Sequence, residues 1–373
     1  MSELDAGEEL ADPFNVLLPL PYRLVAVIVL GIWLWGLNLH VLQQHHIDAP
    51  ALIHYQPRSS PPYLSVYRFA AALSAPAAAS LLLFKSTTSG ALIPNATLVL
   101  LLLALFIVPQ RWLYPRNLWP IAGRSTFLSS LRRISIGGLA RTEDGKFGDV
   151  LLADALTSYA KPLSELYIAC WMMWARPASG RVDRNSIIAV PLLLAYPFAI
   201  RFRQCLIDSQ PYNALKYATA FPAIALSTLM RLEHPPFIGH RALSYLWFLA
   251  ALANAFYSFY WDVARDWDLT LFSPSQRSSS DYPFGLRRHR YFETNLYYAM
   301  VGVDLVLRFA WALKLSPHLE HFYDIEGGIF LLELLEVFRR FLWVFFRVET
   351  EHVRAKYPSD ILLGEIGPRY DED

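Results

Sequence analysis

Apolar runs about as long as a bilayer is thick recur along the chain, and they grow more polar toward the C-terminus. A membrane-spanning helix needs about 20 mostly apolar residues. Nine stretches meet that length: 20–43, 63–84, 90–109, 149–173, 187–206, 213–231, 240–264, 291–314 and 327–348. The first three and the seventh are the most plainly apolar, whereas the other five carry polar or charged side chains. Ionisable groups in a spanning helix face a protein interior or a wet cavity. The pattern therefore predicts an all-α polytopic membrane protein, a single bundle of about nine transmembrane helices enclosing something polar.

The last stretch is the most informative. In one helix Glu333, Glu336, Arg340, Trp343 and Arg347 recur at i, i+3, i+7, i+10 and i+14 and share a face. A guanidinium near the bilayer centre costs roughly 2.5–3.5 kcal/mol on insertion scales, so these arginines need partners. A row of them in a membrane cavity points to an anion site.

Composition agrees with a membrane protein. Of 373 residues 54% are hydrophobic and 17% charged, against about 25% charged in a typical soluble domain. The net charge of +1 gives no reason to expect a nucleic-acid partner. Cys170 and Cys205 both fall in apolar segments and read as packing residues. The first nineteen residues hold five acids and no Lys or Arg, unlike a signal peptide.

Basic residues cluster in two long connections, 110–148 and 265–290, and in the C-terminal tail. With nine spans these fall on one side, and the positive-inside rule makes that side cytosolic and the acidic N-terminus lumenal. The expected organisation is an acidic lumenal tail over 1–19, N-terminal transmembrane helices over 20–110, a basic cytosolic loop over 111–148, a core helical bundle over 149–352 and a cytosolic tail over 353–373. Leu118 to Leu139 reads as either a surface helix or a solvated loop. The sequon at Asn95 sits at the membrane boundary and is expected to be unused.

Outside the last helix, ionisable residues gather at Asp149 and Asp154, at Arg201, Arg203 and Lys216, at Asp262 and Asp266, and at Asp304 and Arg308. Each has a plain alternative. Asp304 with Arg308 and Glu336 with Arg340 have the spacing of intrahelical pairs, Asp262 and Asp266 can be solvated, and Arg201, Arg203, Arg347 and Arg354 can snorkel. Taken together they point to one shared polar core, where guanidinium forks would bind a tetrahedral oxyanion. Nucleotide-binding and hydrolase motifs are absent, and His40, His45 and His46 do not make a metal site. No enzyme activity, cofactor or metal is expected.

The stretch from Leu335 to His352 (LEVFRRFLWVFFRVETEH) closely resembles the signature end of the EXS domain, found in eukaryotic phosphate exporters. Further matching pieces follow in order: Arg201 to Leu206, Asn213 to Phe221, Phe259 to Trp267 and Leu307 to Trp311, with weaker ones at Leu152 to Asp154 and Gly36 to Asn38. The exporters begin with a long cytosolic SPX domain, whereas this chain resembles the short branch associated with retention of ER-resident proteins. That resemblance implies a Golgi membrane protein moving inorganic phosphate from lumen to cytosol, in support of glycosylation and protein retention. It implies phosphate contacts at Asp154, Lys216, Tyr217, Asp262, Arg308, Glu336, Arg339 and Arg340. Arg203, Asp266, Phe309, Trp311 and Trp343 are expected around the pore or gate. Thr157 stands where the exporters tend to carry an asparagine.

Two other readings compete with the transporter. A non-transporting sorting factor would use its basic loops to recruit Golgi sorting adaptors, and a membrane-embedded transferase would need a catalytic His or carboxylate pair at the lumenal face. The expected partners are phosphate and the lipid bilayer, with a homodimer implied by the family alone.

Overall fold

The structure is a computed structural model that describes residues 13–56, 61–87, 91–107, 121–175, 184–231, 239–273, 282–310 and 326–357. Among these, every regular element is helical. The long helices are α1 (Leu20–Gln44), α2 (Pro62–Ser86), α3 (Leu92–Leu102), α4 (Ile121–Ser135), α5 (Lys146–Ser158), α6 (Ala160–Ala175), α7 (Arg184–Ile207), α8 (Pro211–Ala218), α9 (Ala220–Leu229), α10 (His240–Trp261), α11 (Thr294–Arg308) and α12 (Glu326–Lys356). Helix thus forms in each of the nine apolar stretches. Four helical segments are both long and apolar enough to cross a membrane: α1, α2, Ile188–Ile207 within α7, and α10 with its continuation to Asp266.

Burial follows from the surroundings these sequences were made for. Leu82, Leu83, Leu192, Leu246, Leu249 and Val306 stand exposed on the outside, where lipid rather than water would meet them. Polar side chains turn inward: Asp149, Asp154, Arg201, Lys216, Asp262, Asp304, Arg339 and Arg340 are all buried. An apolar cluster around Leu42, Val263, Trp267, Tyr297, Trp343 and Phe346 seals the bundle beside them.

Two helix breaks decide where the polar groups go, and prolines explain both. Pro162 has no N–H to give the Ser158 carbonyl, and Pro222 has none for that of Ala218. The helical path accordingly breaks at Tyr159, between α5 and α6, and at Thr219, between α8 and α9. Each break lies next to site residues, Thr157 and Ser158 in one case and Lys216 and Tyr217 in the other. A third irregularity, the π-helical turn Asp262–Asp266, ends α10.

The stretch expected to be a surface helix or a loop contains α4. Its Arg133 clamps the fully buried Asp149 with Nε–Oδ2 at 2.5 Å and Nη2–Oδ1 at 2.7 Å. The far end of α12 is held similarly. Arg287 donates to Glu349 at 2.6 Å and to Thr350 at 2.7 Å, and Tyr297 donates its hydroxyl to Glu349.

Candidate functional site

Helix α12 runs unbroken as a single central rod and packs against α1, α5 and α11. Arg339 and Arg340 are adjacent on it and therefore about 100° apart around its axis. That angle sends them to different partners.

Arg339 faces α10 and α11. It reaches Asp304 at 3.2 Å and Asp262 at 3.5 Å, and it grips Glu336 on its own helix at 2.6 and 3.0 Å. Asp262 is fully buried and gathers three cations, accepting from Lys216 at 2.8 Å, from Arg308 and from Arg339. Lys216 also holds Asp266 at 2.9 Å. The π-helical turn puts Asp262 and Asp266 on one ammonium, and π turns are frequent at functional sites.

Arg340 faces α5. Its Nε donates to Ser158 Oγ and its Nη2 to Thr157 Oγ1, both at 3.0 Å, and its guanidinium lies 4.5 Å from the Trp343 ring centroid. The side chain forms no ion pair among the described residues, and Nη1 is buried without a hydrogen-bond partner. Ser158 links the two halves, donating to Glu336 Oε1 at 2.8 Å while accepting from Arg340. The Glu336 side chain is half-buried, with both carboxylate oxygens accepting from Arg339 and one also from Ser158.

A second cluster lies beside the first. Asp154 accepts from Arg201 at 2.8 Å and from the Tyr217 hydroxyl at 2.5 Å, and Arg201 continues to Gln204 at 2.8 Å. A cavity of about 570 Å³ opens from here toward the C-terminal end of α12, with Asp154, Arg201 and Asp266 on its wall and Lys146, Arg347 and Arg354 farther along. At about 30 Å³ per water it has room for on the order of twenty waters.

The structure brings together Asp154, Lys216, Tyr217, Asp262, Arg308, Glu336, Arg339 and Arg340, with Asp266 and Trp343 beside them. Arg203 goes elsewhere: it is exposed and donates to the Ile136 carbonyl. Two residues from Arg201 on a helix is about 200° around, so one arginine turns inward and the other outward. Phe309 packs edge-on to Phe256 at 4.9 Å, and Trp311 lies outside the described residues. The intrahelical Glu336–Arg340 pair does not form; Glu336 takes Arg339 instead. Asp304 with Arg308 is a long contact of 3.6 Å, because each has a closer partner. Sequence reasoning placed Arg201 and Asp304 in the polar core but not among the phosphate contacts, and it did not include Ser158 in the site. The run of Arg201 beside an amphipathic Gln204 in an apolar helix was the signal for the first.

The chemistry follows from this sorting. Asp154, Asp262, Asp266, Asp304 and Glu336 each contact a cation, whereas among the described residues Arg340 meets only hydroxyls and an aromatic face. An anion at Nη1 would take a charge-assisted bond in a low-dielectric setting, where those bonds are strongest.

Comparison with known proteins agrees with the sequence motifs. The family model described as EXS family matches residues 18–353. Protein ERD1 homolog 1 of Schizosaccharomyces pombe is 33% identical over 89% of this chain and 90% of its own length. Phosphate transporter PHO1 homolog 8 of Arabidopsis thaliana is 27% identical over 89% of this chain but 44% of its own length. Solute carrier family 53 member 1 of Homo sapiens is 30% identical over 56% of this chain and 33% of its own. With the family pattern covering nearly the whole described bundle, the chain belongs to the EXS family of membrane proteins.

Proposed function

We propose that the protein moves inorganic phosphate across the Golgi membrane, from lumen to cytosol, by way of Arg340 and the cations around it. Nine spans place the N-terminus in the lumen and the C-terminus in the cytosol. Phosphate recovered in this way supports glycosylation and, through it, retention of resident proteins. One observation carries the reading: among the described residues, a buried guanidinium with no ion pair and an unpartnered Nη1, set beside Arg339, Arg308 and Lys216. A transporter site must also let go of its ligand. Asp262, Asp304 and Glu336 hold the neighbouring cations and so moderate the pull on a dianion. Similarity to the plant phosphate transporter supports the substrate, and similarity to the ERD1 homolog over 90% of its length supports the short branch, for which the resemblance implies the Golgi.

The cavity beside Asp154 and Arg201 serves as the cytosolic vestibule. Thr157 and Ser158 have a specific task, because they orient Arg340 with neutral acceptors and leave its charge available. An asparagine carbonyl could accept in the same way, so the threonine is a compatible variant of the family pattern.

The test is efflux of radiolabelled phosphate from proteoliposomes containing the full-length protein. Flux above empty liposomes, lost in Arg340→Met, is the expected result. Purified, monodisperse protein with no phosphate flux would sink the proposal and favour a sorting role.

A further inference from the structure

Three buried polar atoms near Arg339 have no partner among the described residues: Asp304 Oδ2 and the indole Nε1 of both Trp267 and Trp343. Their side chains line one narrow void beside the π-helical turn, between α11 and α12, together with Arg339. Met300, Leu307 and Leu342 close its apolar side. Trp267, Trp343 and Asp304 are 1%, 0% and 3% exposed, so water outside the bundle does not reach them. Buried polar groups are nearly always satisfied, and three exceptions around one void call for a ligand.

Asp304 differs here from the acids around it. Among the described residues Asp154, Asp262, Asp266 and Glu336 have no buried, unpartnered oxygen. Asp304 accepts from Arg339 through Oδ1 at 3.2 Å. Its Oδ2 has Arg308 Nε at 3.6 Å, beyond hydrogen-bonding range, because Arg308 gives its Nη2 to Asp262. The void is thus edged by two donors and one acceptor. A fully ionised oxyanion would satisfy the donors but meet the acceptor with like charge. A tetrahedral oxyanion that keeps one hydroxyl satisfies all three: its O–H donates to Asp304, and two other oxygens accept from the indoles.

We propose that Asp304 selects hydrogen phosphate over sulfate, reading the P–OH with Oδ2 while the indole N–H groups of Trp267 and Trp343 hold two unprotonated oxygens. At neutral pH inorganic phosphate keeps at least one P–OH, and sulfate has none. Specificity of this kind uses a group that penalises the wrong ligand. A site built to hydrogen-bond an O–H rejects the analogue lacking it by roughly 10,000-fold when fully enclosed. Arg339 and Arg340 attract any oxyanion, and Asp304 supplies the discrimination. In this conformation the void is too narrow for a water molecule, so this station is shut and opens during transport. The wall free to move is α11: among the described residues, a Cβ at Gly302 would meet nothing within 4 Å, and Val306 is exposed.

This inference rests on the transporter reading and deepens it, and the experiment separates the two. Unlabelled phosphate, arsenate and sulfate compete against radiolabelled phosphate flux in proteoliposomes of wild-type, Asp304→Asn and Trp343→Phe protein at neutral pH. Arsenate keeps an As–OH and should compete with wild-type flux as phosphate does, whereas sulfate should be at least about 100-fold weaker. Asp304→Asn offers an amide N–H in place of the charged acceptor. It should let sulfate compete, narrowing the phosphate-to-sulfate ratio at least about tenfold. A purely structural Asp304 would lower Tm and leave that ratio alone, so an unchanged ratio in folded Asp304→Asn overturns the proposal. A wild type in which sulfate competes as well as phosphate also overturns it. If Asp304→Asn fails to fold, Trp343→Phe decides, since it keeps a ring against Arg340 and loses the N–H. The half-inhibiting concentrations of phosphate and arsenate should then rise several-fold, and no rise overturns the proposal. A folded wild type with no phosphate flux would sink the transporter reading itself. In that case Tm decides the site: stabilisation by phosphate and arsenate but not sulfate supports it, and equal or absent effects overturn it.

Discussion

Adjacent arginines on one helix should respond in opposite ways to the same substitution. Arg339→Met removes the shared partner of Glu336, Asp304 and Asp262, all of which lose a contact of 3.5 Å or less. Removing one member of a buried ion pair costs about 3–5 kcal/mol, because an uncompensated charge remains. Against a total of roughly 5–15 kcal/mol for an ordinary domain, that loss is severe. Arg340→Met removes two bonds to hydroxyls and one stacking contact with Trp343. Those are worth about 1.5–3 kcal/mol per bond and roughly 1–2 for the ring. The same change relieves the cost of burying an unpaired guanidinium, about 2.5–3.5 kcal/mol, and leaves no carboxylate without its cation. The two bonds and the ring together give about 4–8 kcal/mol and the relieved burial returns about 2.5–3.5. The net loss is therefore about 0.5–5.5 kcal/mol, smaller than that of Arg339→Met, which takes a cation from three carboxylates. Thermal unfolding of the detergent-purified proteins reads both effects. Wild type and Arg339→Met should differ widely in Tm, with Arg340→Met between them. Phosphate at about 100 times its Kd should stabilise the wild type by about 2.7 kcal/mol and should leave Arg340→Met unmoved. An Arg340→Met protein as unstable as Arg339→Met, or one still stabilised by phosphate, would refute the division of labour between the two arginines.

Other outcomes follow from the same geometry. Asp154→Asn leaves buried Arg201 without its carboxylate and should lower stability by about 3 kcal/mol or more, read as a lower Tm. Pro162→Ala restores the N–H that the Ser158 carbonyl lacks. It should straighten the α5–α6 junction, draw Thr157 and Ser158 away from Arg340 and raise the KM for phosphate with little loss of Tm. An unchanged KM would mean the break does not position the hydroxyls. Arg287→Ala strands Glu349 and should speed amide exchange over 286–293 far more than over α5, which hydrogen-exchange mass spectrometry resolves.

How much of this was legible in the sequence depends on the kind of information asked for. Charges inside apolar runs mark the polar core regardless of the fold, since burial without partners is too costly to persist. That is why Lys216, Asp262, Arg308 and Arg340 stand out, whereas Arg339 came from the resemblance to the EXS signature. The pairing scheme was not readable, because partners come from different helices. Glu336 matched Arg340 by spacing, yet a serine on α5 stands between them and Arg339 takes the carboxylate. Arg201 and Arg203 look equivalent near a helix end, and only the packing of α7 shows which one meets Asp154. The proline breaks were legible in principle: Pro162 and Pro222 each follow a cluster of polar residues in an otherwise apolar helix.

The central claim is that Arg340 is an anion ligand and not a structural strut. The most direct measurement is phosphate flux through reconstituted full-length protein, wild type beside Arg340→Met, with correct folding of both established by Tm. The account predicts robust flux for the wild type and flux near that of empty liposomes for a fully folded Arg340→Met protein. Undiminished flux through folded Arg340→Met would contradict it.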